Sequence, residues 1–157
     1  RLGKKSSRQR SSIDPILKGR MANQHAEMGD TYRRLGYFKE AIEEYEKALG
    51  LAPEFSDIRL RLGMALCEIG QLARSKRELK KVIQQKPYYL KARLQLGITH
   101  FLSGQKNDAA KEWKAVLKKD PLNEDAKLYL ELCENGKGRA PSARKKKRPA
   151  KKSSKKK

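Results

Sequence analysis

Residues 26–53 read AEMGDTYRRLGYFKEAIEEYEKALGLAP, and their landmarks return at a constant offset in 58–87 (IRLRLGMALCEIGQLARSKRELKKVIQQKP) and 92–121 (ARLQLGITHFLSGQKNDAAKEWKAVLKKDP). Gly29, Gly63 and Gly97 stand 34 residues apart, as do Gly36, Gly70 and Gly104, and Pro53, Pro87 and Pro121. Met28, Leu62 and Leu96 keep the step, with Ala41, Ser75 and Ala109, Tyr45, Leu79 and Trp113, and Ala48, Val82 and Val116. Seven columns in one phase define a tandem repeat, each unit one supersecondary element that buries its apolar face against its neighbours.

Each column has a mechanical reading. A mid-helix glycine costs about 1 kcal/mol relative to alanine, so Gly29, Gly63 and Gly97 mark places where two helices must approach closely, with Ala41, Ser75 and Ala109 as small residues at that crossing. Gly36, Gly70 and Gly104 close a first helix in the left-handed conformation. The three prolines stop a second helix. Helices are expected over 15–35, 38–51, 55–69, 72–85, 88–102, 106–119 and 122–135. Asp14 and Pro15 read as an N-cap followed by proline at the first helical position, with Gly19 as a weak point in the first helix. The last helix has no second helix after it and reads as the solvating cap of an array.

Charge divides the chain differently. Of the net charge of +21, residues 1–21 carry +6 and residues 137–157 carry +12, leaving +3 for the centre. A basic arm (1–14) and a Lys/Arg-rich tail (136–157), nearly free of apolar residues, are expected to be disordered around a folded domain at 15–135. No apolar run reaches the length of a membrane span, and the basic beginning lacks the apolar stretch of a secretory signal. Cys67 and Cys133, with no C-x-x-C pair, fit a reducing compartment, and a cytoplasmic location is expected.

The 34-residue pattern resembles the tetratricopeptide repeat family over roughly residues 22–135. The first segment is nearest to the family pattern; the second departs at Ser75 and Lys76, the third at His100 and Lys106. The resemblance implies an all-α, right-handed α-α superhelix of three repeats (22–55, 56–89, 90–123) with a capping helix (122–135). It also implies that the first helix of each pair lines a concave surface. Three columns then face inward: Ala26, Leu60, Leu94 and Leu128; Asp30, Met64, Ile98 and Leu132; Arg33, Cys67, Phe101 and Asn135. Repeat one offers a polar end through Asn23, Asp30, Arg33 and Arg34. The remainder offers an apolar stripe of Leu60, Met64, Cys67, Leu94, Ile98, Phe101, Leu128 and Leu132. Such a stripe suits the apolar face of an amphipathic helix or an extended segment, unless these residues pack between helices, or Ile13, Ile16 and Leu17 or a second copy of the chain cover them. Some family members grip the C-terminal carboxylate of chaperones with Lys, Asn and Arg side chains. The corresponding positions here hold Ala26, Asp30, Arg61, Lys91 and Gln95, of which only Lys91 fits, so no such clamp is expected.

Chemistry finds no constellation. There is no metal-ligand spacing, phosphate loop or nucleophile elbow, and neither catalytic residues nor a cofactor are expected. His25 and His100 fall in packing columns, and Glu43, Glu44 and Glu46 read as a solvated helix face. The tail residues Arg144, Lys145, Lys146, Lys147, Arg148, Lys151, Lys152, Lys155, Lys156 and Lys157 carry no interleaved aromatics. They suit phosphates of nucleic acid without sequence choice, or anionic lipid equally; Arg144–Arg148 also resembles a nuclear import signal. The leading reading is a non-enzymatic adaptor that holds a protein segment in its groove while its tail attaches to a polyanion. The competing reading is a nucleic-acid-associated protein acting through its tail, the repeats serving to oligomerise or tether it.

Overall fold

A computed structural model describes residues 13–136. The arm up to residue 12, the tail from residue 137 and every tail residue named above lie outside the described residues. Seven helices follow in order: α1 (Pro15–Leu35), α2 (Phe38–Leu51), α3 (Ser56–Glu68), α4 (Leu72–Gln85), α5 (Leu90–Leu102), α6 (Lys106–Lys119) and α7 (Glu124–Glu134). The described residues hold no strand, and none of their helices is long and apolar enough to cross a membrane. The helix bounds agree with the sequence reading to within two residues. Ile13 and Asp14, assigned to the arm from composition, are placed, and Asp14 caps α1 by accepting the Ile16 N–H at 2.9 Å. Helix α1 runs through Gly19 unbroken.

Helix ends repeat as faithfully as helices. Gly36, Gly70 and Gly104 have φ of 86°, 79° and 77°. Their N–H groups, and those of the residues that follow, reach back to the carbonyls of Arg33 and Tyr32, Cys67 and Leu66, and Phe101 and His100. Only glycine enters that left-handed turn at no steric cost, which fixes the angle at which the second helix folds back.

The pairs α1–α2, α3–α4 and α5–α6 make the most extensive contacts, followed by α2–α3, α4–α5 and α6–α7. Helices therefore pack mainly on their neighbours in sequence, as a solenoid requires. The mid-helix glycines show why each pair closes. A Cβ added at Gly29 would lie 2.6 Å from the Tyr45 ring; at Gly63, 2.8 Å from Leu79; at Gly97, it would strike the indole of Trp113. Tyr45, Leu79 and Trp113 are at most 1 % exposed. The glycine is thus a notch for the largest side chain of the partner helix, and not only a seat for the small residue. The small residue also touches it in repeat two, where Ser75 Oγ donates to the Gly63 carbonyl at 2.7 Å. Ser75 and His100, two departures from the family pattern, are both buried and satisfied, His100 by Gln105 at 3.0 Å.

A second column is polar. His25 Nδ1 meets Glu44 at 2.6 Å, Arg59 meets Glu78 at 2.8 Å and Arg93 meets Glu112 at 3.1 Å. The three pairs are one contact carried through the period, joining the two helices of each repeat beside the notch. Glu44, read from sequence as solvated, is buried. Its residue type suggested solvent, but its position in the period puts it between helices.

One face of α1 lacks a covering helix. In α3, Ile58, Leu62, Ala65 and Leu66 are buried in one cluster with Ile42, Ala48 and Leu49 of α2. One period earlier stand Gln24, Met28, Thr31 and Tyr32, and no described helix precedes them. Gln24 and Thr31 adapt that end to water, whereas Met28 remains 47 % exposed.

The buried Glu44 and the half-buried Glu78 tie stability to pH. The hydrogen bond from Lys47 holds Glu44 below the usual glutamate range, against the pull of burial and with help from His25. Burial pulls Glu78 upward, but hydrogen bonds from Arg59 and Lys81, with their charges, outweigh it and leave it lowered too. A depressed folded pKa stabilises the fold above the unfolded value of about 4.3, and that contribution is lost as pH falls through the folded value. Urea unfolding should therefore show stability falling once pH drops below about 4.3. Glu44→Gln should be less stable than the parent at pH 7 and lose less on acidification. Equal losses in both chains would remove Glu44 from the acid response.

Candidate partner-binding groove

The odd-numbered helices form one continuous face, since α3 touches α5 and α5 touches α7. Ion pairs join α1 to α3 on the same side. Arg33 grips Glu68 with two nitrogens, at 2.7 to 3.2 Å, and Arg61 meets Asp30 at 2.8 Å. Asp30 also accepts the Tyr45 hydroxyl at 2.7 Å. Burial, then this bond, pushes the Tyr45 pKa up and keeps the phenol protonated. The Glu68 hydrogen bond likewise raises Arg33. The sequence reading offered Asp30 and Arg33 to a ligand as a polar end; in the structure both are already engaged across the repeat boundary. Asn23 and Arg34 are exposed, Arg34 turning to Thr31 Oγ1 at 3.2 Å.

The apolar stripe divides. Met64, Leu94, Ile98, Phe101 and Leu132 are half-buried, and Leu128 is 47 % exposed. Leu60 and Cys67, expected in the groove, are covered. Leu60 is 2 % exposed and packs with Leu79, Val82, Ala92 and Leu96, inside the junction of α3, α4 and α5. Its column is half core: a leucine there fills the space between a helix pair and the next repeat. At Leu128 the column reaches α7, after which no described helix covers it. Cys67 is buried, and burial pushes its thiol up despite the Thr99 hydroxyl at 3.6 Å. A protonated buried thiol is a packing group and a poor nucleophile. Phe101 leans on Trp113 at 6.1 Å, and Trp113 on Tyr129 at 5.5 Å, giving the stripe an aromatic floor in repeat three. The stripe therefore runs from Met64 through Leu94, Ile98 and Phe101 to Leu128 and Leu132.

The five positions of the chaperone clamp are also placed. Ala26 is buried, Lys91 exposed and Gln95 half-buried. Arg61, the second cation of the set, is shared between Asp30 and Asp57. Surface depressions lie elsewhere, around Tyr88 and Tyr89 in the turn before α5 and along Gln24, Met28 and Tyr32 on the uncovered face of α1. Among the described residues no cluster of His, Cys, Asp or Glu could hold a metal ion.

This architecture is that of a helical-repeat solenoid. Residues 25–55 match the family model of the tetratricopeptide repeat. No curated protein matches the chain by sequence. Similar solved structures include the first tetratricopeptide domain of Spaghetti (RPAP3) bound to the HSP90 peptide SRMEEVD, with 22% identity over 75% of this chain and 94% of that one and a TM-score of 0.72. The Arabidopsis OM64 domain matches at 17% identity over 76% and 98%, TM-score 0.72. The second human RPAP3 domain, in complex with the HSP70 peptide SGPTIEEVD, matches at 20% over 77% and 98%, TM-score 0.69. Residues 25–55 thus carry the tetratricopeptide repeat, and the described helices have the fold of tetratricopeptide-repeat domains.

The α1–α3 ion pairs are testable as such. A double-mutant cycle of Arg33→Ala and Glu68→Ala should give a coupling of about 0.5–1 kcal/mol that shrinks with added salt, as for partly exposed pairs. A coupling of zero at low salt would leave Arg33 free for a ligand.

Proposed function

We propose that this chain is a non-enzymatic adaptor whose odd-helix face holds a protein segment, with the stripe from Met64 to Leu132 as its apolar seat. The observation that carries the reading is Leu128: an apolar side chain, 47 % exposed, at the end of a column whose earlier members are wholly or partly covered. Half-exposed Leu94, Ile98 and Leu132 continue from it. Covering such side chains contributes about 1.5–3 kcal/mol each at full burial, reduced by the entropy of association. An amphipathic helix presents apolar groups at the spacing such a stripe requires. The relatives of known structure that hold chaperone peptides support a peptide ligand. A carboxylate clamp is not part of the proposal, because Asp30 occupies Arg61 and would repel an acidic terminus.

The basic tail is proposed to attach the assembly to a polyanion, and the protein is proposed to act in the cytoplasm. In the competing nucleic-acid reading, the tail would be the main determinant and the groove dispensable.

Selection of amphipathic-helix peptides from a display library tests the groove. Selected peptides should bind the parent chain and lose at least tenfold in affinity with Leu128→Asp or Ile98→Asp, a loss of about 1.4 kcal/mol or more. The helical circular dichroism should be unchanged, most securely for the exposed Leu128. Deleting 137–157 should leave peptide binding intact. Peptides that bind both variants as tightly as the parent would rule the stripe out. Peptides ending in acidic residues should show no carboxylate-dependent binding; tight binding lost on amidation of the terminus would establish a clamp.

A further inference from the structure

The even-numbered helices present a different surface, and its charge changes sign along the array. Glu43 and Glu46 are exposed on α2; one period on stand Arg77 and Lys80 of α4, and another period on Lys111 and Lys114 of α6, all exposed. A turn further, Gln84 is followed by Lys118, also exposed. The same two columns are thus acidic in repeat one and wholly basic in repeats two and three. The period that makes the columns also makes α4 and α6 present them to the same side.

The neighbouring carboxylates do not neutralise this ridge. Glu78 turns to Arg59 and also takes Lys81 at 3.0 Å, Glu112 turns to Arg93, and Glu46 is held by Arg74. Asp108 touches Lys111 at 3.7 Å. Among the described residues, no carboxylate lies within ion-pair distance of Arg77, Lys80, Lys114 or Lys118. These four are free cations on a folded, repeating scaffold, joined by the Lys76 to Gln105 hydrogen bond at 2.7 Å between repeats two and three.

We propose that the exposed ridge of α4 and α6 is a docking face for the phosphate backbone of double-stranded nucleic acid, without sequence choice. Three features select this occupant. A protein partner would call for aromatic or aliphatic anchors, and lysine is depleted from protein interfaces; Trp113, the aromatic residue of α6, is buried. A membrane surface would call for apolar side chains interleaved with the cations, and Arg77, Lys80, Lys114 and Lys118 have none between them on the exposed face. A single strand would call for stacking platforms; the exposed ring beside the ridge, Tyr88, is already taken by the Lys119 ammonium at 5.2 Å. Isolated cations arrayed along helices match regularly spaced phosphates, which bind through counterion release. The ridge is separate from the odd-helix stripe, so this inference does not depend on the groove.

The experiment uses the full chain and a short DNA duplex of random sequence. The comparison is between the parent and Arg77→Gln/Lys80→Gln/Lys114→Gln/Lys118→Gln, with circular dichroism confirming an unchanged fold. The slope of log affinity against log salt should become shallower by about 3–4, close to 0.9 for each phosphate no longer neutralised. Lys39→Gln/Lys47→Gln on α2 should leave the slope as it was. Acetylation footprinting of the parent complex should show Lys80 and Lys114 protected by duplex, and Lys39 and Lys47 unprotected. An unchanged slope with Lys80 and Lys114 unprotected would overturn the proposal. So would protection by phosphatidylserine vesicles or polyglutamate in the absence of protection by duplex.

Discussion

The notch that each first helix opens for one large side chain of the second is the contact on which the rest of the structure depends. Gly29 receives Tyr45, Gly63 receives Leu79 and Gly97 receives Trp113. Without a Cβ at those points the two helices close until the large residue is almost fully buried, and the removal of that apolar surface from water drives the pairing. The occupant varies from phenol to isobutyl to indole while the notch does not. The array thus tolerates variation in what fills each repeat, provided the backbone allows the approach.

Contacts beside the notch follow from the same geometry. Bringing the helices together places residues 19 apart in sequence opposite each other, and each repeat puts a nitrogen-bearing side chain and a glutamate there: His25 with Glu44, Arg59 with Glu78, Arg93 with Glu112. Glu78 and Glu112 are engaged by Arg59 and Arg93, and among the described residues Arg77 and Lys80 of α4 and Lys114 and Lys118 of α6 have no carboxylate within ion-pair distance. On the other side, stacking one pair on the next brings Asp30 to Arg61 and Arg33 to Glu68. The polar end of the odd-helix face is therefore neutralised within the protein. The apolar end, from Ile98 to Leu132, is left open because, among the described residues, no helix follows α7 to cover it.

Much of this was legible in the amino-acid sequence. The 34-residue period placed seven helices, three left-handed glycines and the glycine notches. It assigned each notch a small neighbour, and it set Tyr45, Leu79 and Trp113 in one column without seating that column in the notch. A column of Tyr, Leu and Trp has no common chemistry to mark it as one contact. The same limit hid the polar pairs: histidine and two arginines do not look like one column until the pairing with glutamate is seen across the helices. Leu60 and Cys67 were placed in the groove because a helical face was read as uniformly exposed along the array. In the middle of a solenoid the next repeat covers part of that face, and only at the end, at Leu128, does it remain open. Asp30 and Arg33 were read as a polar end, but their pairing with Arg61 and Glu68 of the next repeat was not, since pairs 31 and 35 residues apart straddle the period rather than follow it.

Stability of the central repeat in a cycle of Gly63→Ala, Leu79→Ala and the double variant tests the notch most directly. In an open helix, glycine to alanine stabilises by about 1 kcal/mol. Here the new Cβ would lie 2.8 Å from Leu79, so Gly63→Ala alone is predicted to destabilise, as overpacking does by about 1–3 kcal/mol. With Leu79 already cut to alanine, itself a loss of about 2–5 kcal/mol, Gly63→Ala should become neutral or stabilising, reversing its sign. If Gly63→Ala stabilises the parent as much as it stabilises the Leu79→Ala chain, the glycine is not a notch, and the pairing of the helices rests on something else.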